Sequence, residues 1–451
     1  MPTTYTSIKN NTLPSSTRAW HRRIWALAGP IIISNLSVPL VGAVDTAVVG
    51  HLPDPVYIGA VALGAVIFNF LYWGFGFLRM GTTGFIAQAH GAGDADEIRM
   101  TFARASLLAG SIGLALVILQ KPIGLVALWA FSGDAELEGL TLDYYTIRIW
   151  SAPAALIHYA VLGCLIGMQN TRAALALQLT LNGSNVVLDL VFVLVLGLGV
   201  KGVALATVFS EYLAVSLGIW LLLHNLHRLG GKWYRSQILD SARLKAMVQV
   251  NANIFIRTLC LIFAFAYFTA IGTKLGKTTL AANAVLMHLQ LFMAYGLDGF
   301  AHAAEALTGG AFGAKNTTAF KQAVKVSSVW ALAIATLITL IYATLGMSII
   351  ELITGIPEVR ATASDYLPWL IASPLLSVWS FQLDGIFIGT TRSTEMRNGM
   401  LISLAAYLCA VWVMVPLWDN HGLWLAMMVF MVTRALTLGM WYPRIERAML
   451  K

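Results

Sequence analysis

The chain has 451 residues, of which 58% are hydrophobic and only 11% charged, with 29 Lys and Arg against 21 Asp and Glu for a net charge of +8. A water-facing globular domain carries about 25% charged residues, so this composition excludes a soluble enzyme and leaves lipid as the solvent. The apolar content also excludes disorder, and the three cysteines (Cys164, Cys260, Cys409) sit singly in apolar runs without the spacing of a metal or redox site.

A helix crosses a hydrocarbon core with about 20 mostly apolar residues. That template fits twelve times: at residues 24–50, 56–88, 100–120, 145–168, 173–198, 202–223, 248–272, 279–309, 322–350, 362–390, 398–418 and 422–443. These runs are continuous and rich in Leu and Ala, unlike the short alternating segments of a membrane barrel. The first run is too long for the apolar core of a secretion signal and lacks a convincing cleavage site, so no removed leader is expected. With the amino terminus in the cytoplasm, nineteen Lys and Arg fall on the inner side, five in outer loops (Lys121, Lys201, Lys274, Lys277, Arg360) and five within spans. Both termini are therefore expected in the cytoplasm, and the scattered basic residues report topology rather than a nucleic-acid partner.

The spans divide at a basic linker, residues 224–247, which carries Arg228, Lys232, Arg235, Arg243 and Lys245. The expected organisation is a tail at 1–23, a six-helix lobe at 24–223, the linker, a second six-helix lobe at 248–443 and a tail at 444–451. A weak repeat with a shift of about 220 residues relates the lobes: Gly76 and Gly93 match Gly296 and Gly313, Tyr145 and Pro153 match Tyr366 and Pro374, and Gly202 matches Gly422. Six spans per lobe makes the repeat parallel, an architecture associated with alternating access and with cargo held near the midplane between the halves.

Acids inside spans are costly and each requires a partner, a proton or water. Asp45 is the only charge between Arg23 and Asp54. Asn185 and Asp189, four residues apart on the fifth span, share a helix face. In the second half Asp298, His302 and Glu305 form one helical stripe on the eighth span, and Asp384 lies on the tenth. Arg257 on the seventh span is an ion partner for either Asp298 or Asp384, and this set either couples directly or holds the second lobe. Glu211, alone on the sixth span, reads as structural, and Arg79, Arg104 and Arg434 as side chains that snorkel or pair near helix ends. Aromatic residues, among them Trp73, Tyr144, Tyr145, Trp150, Trp369 and Trp379, serve equally well as a greasy cargo surface or as interface anchors. The chain has neither a GxxxxGK[ST] phosphate loop nor HExxH or nucleophile-elbow patterns, so neither enzyme chemistry nor bound cofactors are expected.

The segments GAVDTAVVGHL on the first span and NVVLDLVF on the fifth resemble those of the multidrug and toxic compound extrusion (MATE) transporters. DGFAHAAEALTGGAFGA from Asp298 and FQLDGIFIGTTRSTEMRN from Phe381 resemble the DinF-like branch more particularly. The resemblance covers about residues 20–445. It implies a cation-coupled antiporter that exports organic cationic or amphipathic compounds through a cleft between the lobes. It implicates Asp45, Asn185 and Asp189 in coupling and cargo binding, with Asp384 at a position implicated in relatives. Where some relatives carry an acid on the seventh helix, this chain has Arg257. The coupling ion is expected to be the proton, with sodium at Asp45 and Asp189 as the alternative. A lipid-linked precursor flippase is the rival activity. A monomer in a bacterial inner membrane is expected.

Overall fold

The computed structural model describes residues 16–50, 54, 56–131 and 134–450. Residues 1–15 of the expected tail, with Lys9, lie outside this set, as do His51 and Leu52 of the first-helix motif and Lys451. In chain order the helices are α1 (Thr17–Val49), α2 (Val56–Gly74), α3 (Phe77–Ala92), α4 (Ala95–Ile118), α5 (Gln120–Phe131), α6 (Ala135–Arg148), α7 (Ala152–Gly167), α8 (Thr171–Asp189), α9 (Gly199–Leu229), α10 (Arg235–Ile238), α11 (Ser241–Lys274), α12 (Lys277–Gly313), α13 (Thr317–Ile353), α14 (Pro357–Gly389) and α15 (Ser393–Met449). Ten stretches of the described residues are long and apolar enough to span a membrane. The last, α15, is broken at Trp418 and Asp419, where the backbone leaves helical geometry, and so comprises two spans. With α1 these make the twelve spans that the hydropathy pattern predicts.

Most helices extend further than their apolar runs, because capped polar turns continue them past the lipid. Asp94, Asn170 and Asn316 cap α4, α8 and α13 by accepting from the amides of Glu97 (2.8 Å), Ala173 (3.2 Å) and Ala319 (2.9 Å). The fourth span differs from its sequence outline. Between the apolar runs at 100–120 and 145–168, residues 120–131 form α5 and residues 135–148 form α6, and α6 continues into α7 through a tight turn at Ile149–Ser151.

The internal repeat is visible in the backbone itself. Left-handed residues close helices at Gly93 (φ 72°), Gln169 (φ 60°) and Gly197 (φ 66°), and again about 220 residues later at Lys315 (φ 52°), Thr391 (φ 54°) and Asp419 (φ 46°). Helix contacts repeat in the same register. Gly163 and Gly167 let α7 lie directly on the carbonyls of Arg79 and Thr83 in α3, and Gly385 and Gly389 let α14 lie on those of Ala301 and Glu305 in α12. Any side chain at these four glycines would strike backbone, the close approach that small residues spaced four apart provide between membrane helices.

One compact unit contains Ile33–Ala246, and a second contains Met247 onward together with the start of α1 as far as Ile32. Within the second, Trp25 packs edge-on against Phe300 (5.3 Å) and Trp330 (5.1 Å), and the Trp330 indole donates to His21 Nδ1 at 2.8 Å. At the α15 break, Asn420 exchanges two amide hydrogen bonds with Asn283 of α12 (2.7 and 2.9 Å), and the Trp424 indole donates to Asn283 Oδ1 at 2.9 Å. All three side chains are buried, so the turn is fastened by a fully enclosed amide pair.

In the first unit the basic linker is strapped to the start of α4. The Lys232 amide donates to Asp96 Oδ1 (2.6 Å), Arg104 Nε to the Gln237 carbonyl (3.3 Å) and Arg99 Nη2 to the Leu226 carbonyl (2.5 Å). Arg243 and Arg104 both pair with Glu97.

Candidate coupling sites in the two units

In the first unit Asp45 approaches the end of α1, and Asp189 is the last α-helical residue of α8. Beyond Asp189 the chain widens into a π-helical turn at Leu190–Val195, a distortion often found at functional sites. The two carboxyl groups face one another at hydrogen-bonding range. Among the described residues Asp45 Oδ1 and both oxygens of Asp189 have no hydrogen-bond partner, although Asp189 is fully buried. Asn185, one turn earlier on the same face, directs its amide to Thr207 Oγ1 of α9 (3.4 Å) rather than to Asp189. A second contact joins α1 to α8 two turns back, where Asn182 donates to Ser37 Oγ at 2.6 Å. Helices tied at Ser37 to Asn182 and facing at Asp45 to Asp189 run parallel and side by side, which is what brings two acids 144 positions apart into register.

Arg148, at the end of α6, lies within electrostatic range of both acids. Its guanidinium donates to the Tyr144 hydroxyl one turn back and sits over the rings of Phe68 (4.8 Å) and Tyr144 (5.4 Å), while its Nε has no partner among the described residues. Tyr144 and Tyr145 are buried in the core of this unit, whereas Trp73 and Trp150 are exposed.

The second unit handles its acid differently. Asp384 of α14 receives Arg257 of α11 and Arg434 of α15 on the same oxygen, Oδ2, the latter at 2.7 Å. All three side chains are buried. Arg434 also donates to Met431 Sδ (3.3 Å), packs over the Phe430 ring (5.6 Å) and lies within electrostatic range of Asp298. Of the two partners open to Arg257 in the sequence, the structure selects Asp384. Asp298 and His302 are half-buried and Glu305 fully buried along one stripe of α12, where the Glu305 carbonyl meets Gly389.

Sequence reasoning brought forward Asp45, Asn185 and Asp189 but missed Arg148 and the depth of Arg434. Arg148 is the only Asp, Glu, Lys or Arg in the fourth apolar run, the same isolation that marked Asp45. Its significance lay in distances the sequence does not carry.

A MatE family model matches this chain twice, at residues 30–191 and 254–415, one copy per half of the repeat. The chain belongs to the MATE family. It is 39% identical to the DNA damage-inducible protein F of Escherichia coli over 421 residues, 93% of this chain and 91% of that protein. It is 24% identical to the mouse multidrug and toxin extrusion protein 1, covering 86% of this chain and 67% of that one. A solved MOP superfamily transporter from Pyrococcus furiosus superposes with a TM-score of 0.85 at 18% identity, over 98% of this chain and all of its own length. The protein is thus a multi-pass membrane transporter of the multidrug-efflux family and of its DinF-like branch, with the two-lobe twelve-helix fold, and not an enzyme. MATE transporters move small organic substrates at the expense of an ion gradient.

Proposed function

We propose that this MATE transporter exports organic cations or amphipathic drugs in exchange for protons, acting as a monomer by alternating access in a bacterial inner membrane, with both termini cytoplasmic. The observation that carries the reading is the Asp45 and Asp189 pair, whose three buried oxygens have no donor among the described residues. Buried polar groups are otherwise paired almost without exception, so these await a proton or a cation.

Two carboxyl groups at hydrogen-bonding range can bond to each other only when one carries a proton. Proton entry from outside therefore closes the pair upon itself and lowers its attraction for a cationic cargo, which leaves. Proton loss to the cytoplasm restores two facing negative charges, and a new cation binds. Exchange requires that proton and cargo favour different conformations of the protein. Asn185, held by Thr207, presents further polar atoms beside the acids.

The test is ethidium transport in proteoliposomes of the purified protein, with proton and sodium gradients imposed separately and Asp45→Asn as control. Transport driven by the proton gradient alone and lost in the variant is the expected result. Transport driven by sodium alone would make the same oxygens a sodium site. Movement of lipid-linked precursors but of no organic cation would replace the reading with the flippase.

A further inference from the structure

The first unit holds another acid, Glu211 of α9, that the antiport reading does not use. Tyr212, its neighbour, donates to the Trp150 carbonyl at 3.1 Å, which seats α9 against the turn that follows Arg148. On the other side of that turn Ser151 Oγ lies 3.0 Å from the Tyr72 hydroxyl. The groups that face Glu211 electrostatically are Arg148 of α6, Tyr72 of α2 and Tyr159 of α7, the last also facing Arg79 of α3. Glu211 Oε2 is buried without a hydrogen-bond partner among the described residues, and so is Arg148 Nε. Asp384 is paired directly, receiving both of its arginines on Oδ2, whereas Glu211 Oε2 receives no donor from Arg148. Arg148, whose guanidinium is bonded to Tyr144, is instead the one cation within electrostatic range that Asp45, Asp189 and Glu211 share among the described residues. One positive charge cannot neutralise three carboxylates in a site of low dielectric, so the pocket must take up further positive charge.

We propose that Glu211 is a second proton-loading position of the transport cycle, sharing Arg148 with the Asp45 and Asp189 pair, so that two protons exchange for one monovalent organic cation. The inference rests on the antiport reading above. In each cycle one proton binds the aspartate pair and one binds Glu211 from the outside, the cargo cation leaves, and both protons are released to the cytoplasm. One net positive charge therefore moves inward per cycle, and transport is electrogenic. Without Glu211 the exchange is one for one and carries no net charge.

The test is ethidium transport in proteoliposomes at a fixed pH gradient while a potassium diffusion potential is varied with valinomycin. In the unaltered protein the rate should rise with a potential that favours proton entry. Glu211→Gln should still respond to the pH gradient but lose its dependence on potential. Should Glu211→Gln fail to fold, Glu211→Asp keeps a carboxyl group: the potential dependence should persist with a shifted pH midpoint. An electroneutral unaltered protein, a potential dependence that survives Glu211→Gln, or an unshifted midpoint in Glu211→Asp would overturn the proposal and leave antiport standing. An unaltered protein that ignores the pH gradient altogether would remove the antiport reading itself.

Discussion

Asp384 in the second unit receives two guanidinium groups on a single oxygen, whereas Asp45 and Asp189 in the first face each other with three oxygens that lack a donor among the described residues. The two units share the repeat's left-handed turns and glycine contacts, but their acids sit on different members of it: Asp384 on α14, the counterpart of α7, and Asp45 and Asp189 on α1 and α8. The difference is one of saturation. A carboxylate held by two arginines already carries its counter-charge, so a proton or a cargo cation must compete with two ion pairs, and it fastens α11, α14 and α15 together. A facing pair of acids beside one arginine that is bonded elsewhere has room for both. The repeat thus supplies two related scaffolds, of which one is closed by its charges and the other left open by them.

The contrast is broken most severely at Asp45. Asp45→Asn should reduce gradient-driven ethidium transport to the level of empty vesicles while the purified protein keeps its thermal unfolding temperature, since the substitution removes a charge whose buried Oδ1 has no donor among the described residues. Asp384→Asn should act through stability instead. It leaves two arginines buried without their counter-ion, a loss of about 3–5 kcal/mol for a broken buried ion pair, so stability and transport should fall together in a thermal-shift assay. A sharper version replaces the whole group: Asp384→Leu with Arg257→Met and Arg434→Met should recover most of that stability, because apolar side chains of similar volume often substitute for a buried ionic group at no net cost. If the triple variant folds and transports, the second unit's acid is a fastening and nothing more. The smallest effect is expected outside the membrane, at the strap. Arg243→Gln removes only the half-exposed partner of Glu97 and should cost about 0.2–1 kcal/mol, shrinking further with added salt.

The architecture was legible in the sequence because lipid imposes one rule on every span: some 20 apolar residues in a row. The repeat was legible for a related reason, since glycines and turn residues recur wherever two backbones must touch or reverse. What escaped was polar structure at the membrane edge. Residues 120–145 carry too many charges for the apolar template, yet Asp134 accepts from the Ala135 amide at 2.9 Å and starts α6. Lone acids announced themselves, as Asp45 and Asp189 did, because a single charge in an apolar run has no local explanation. Their partners did not. Nothing in the chain order of Arg148, Glu211 and Arg434 reveals that the first lies near three acids, that the second joins them, or that the third reaches Asp384 from 50 residues away.

The enclosed amide pair of Asn283 and Asn420 bears on how the protein is made. Asn283 enters the membrane with α12, and its partner is synthesised 137 residues later, at the turn that brings the chain back for its final crossing. Until then an uncapped amide waits in the bilayer beside helices that are otherwise ready to pack. The last crossing is therefore a closing step in assembly rather than an appendage. A chain ended before Asn420 would leave the Asn283 amide without the partner that encloses it, the kind of lesion that membrane quality control can recognise.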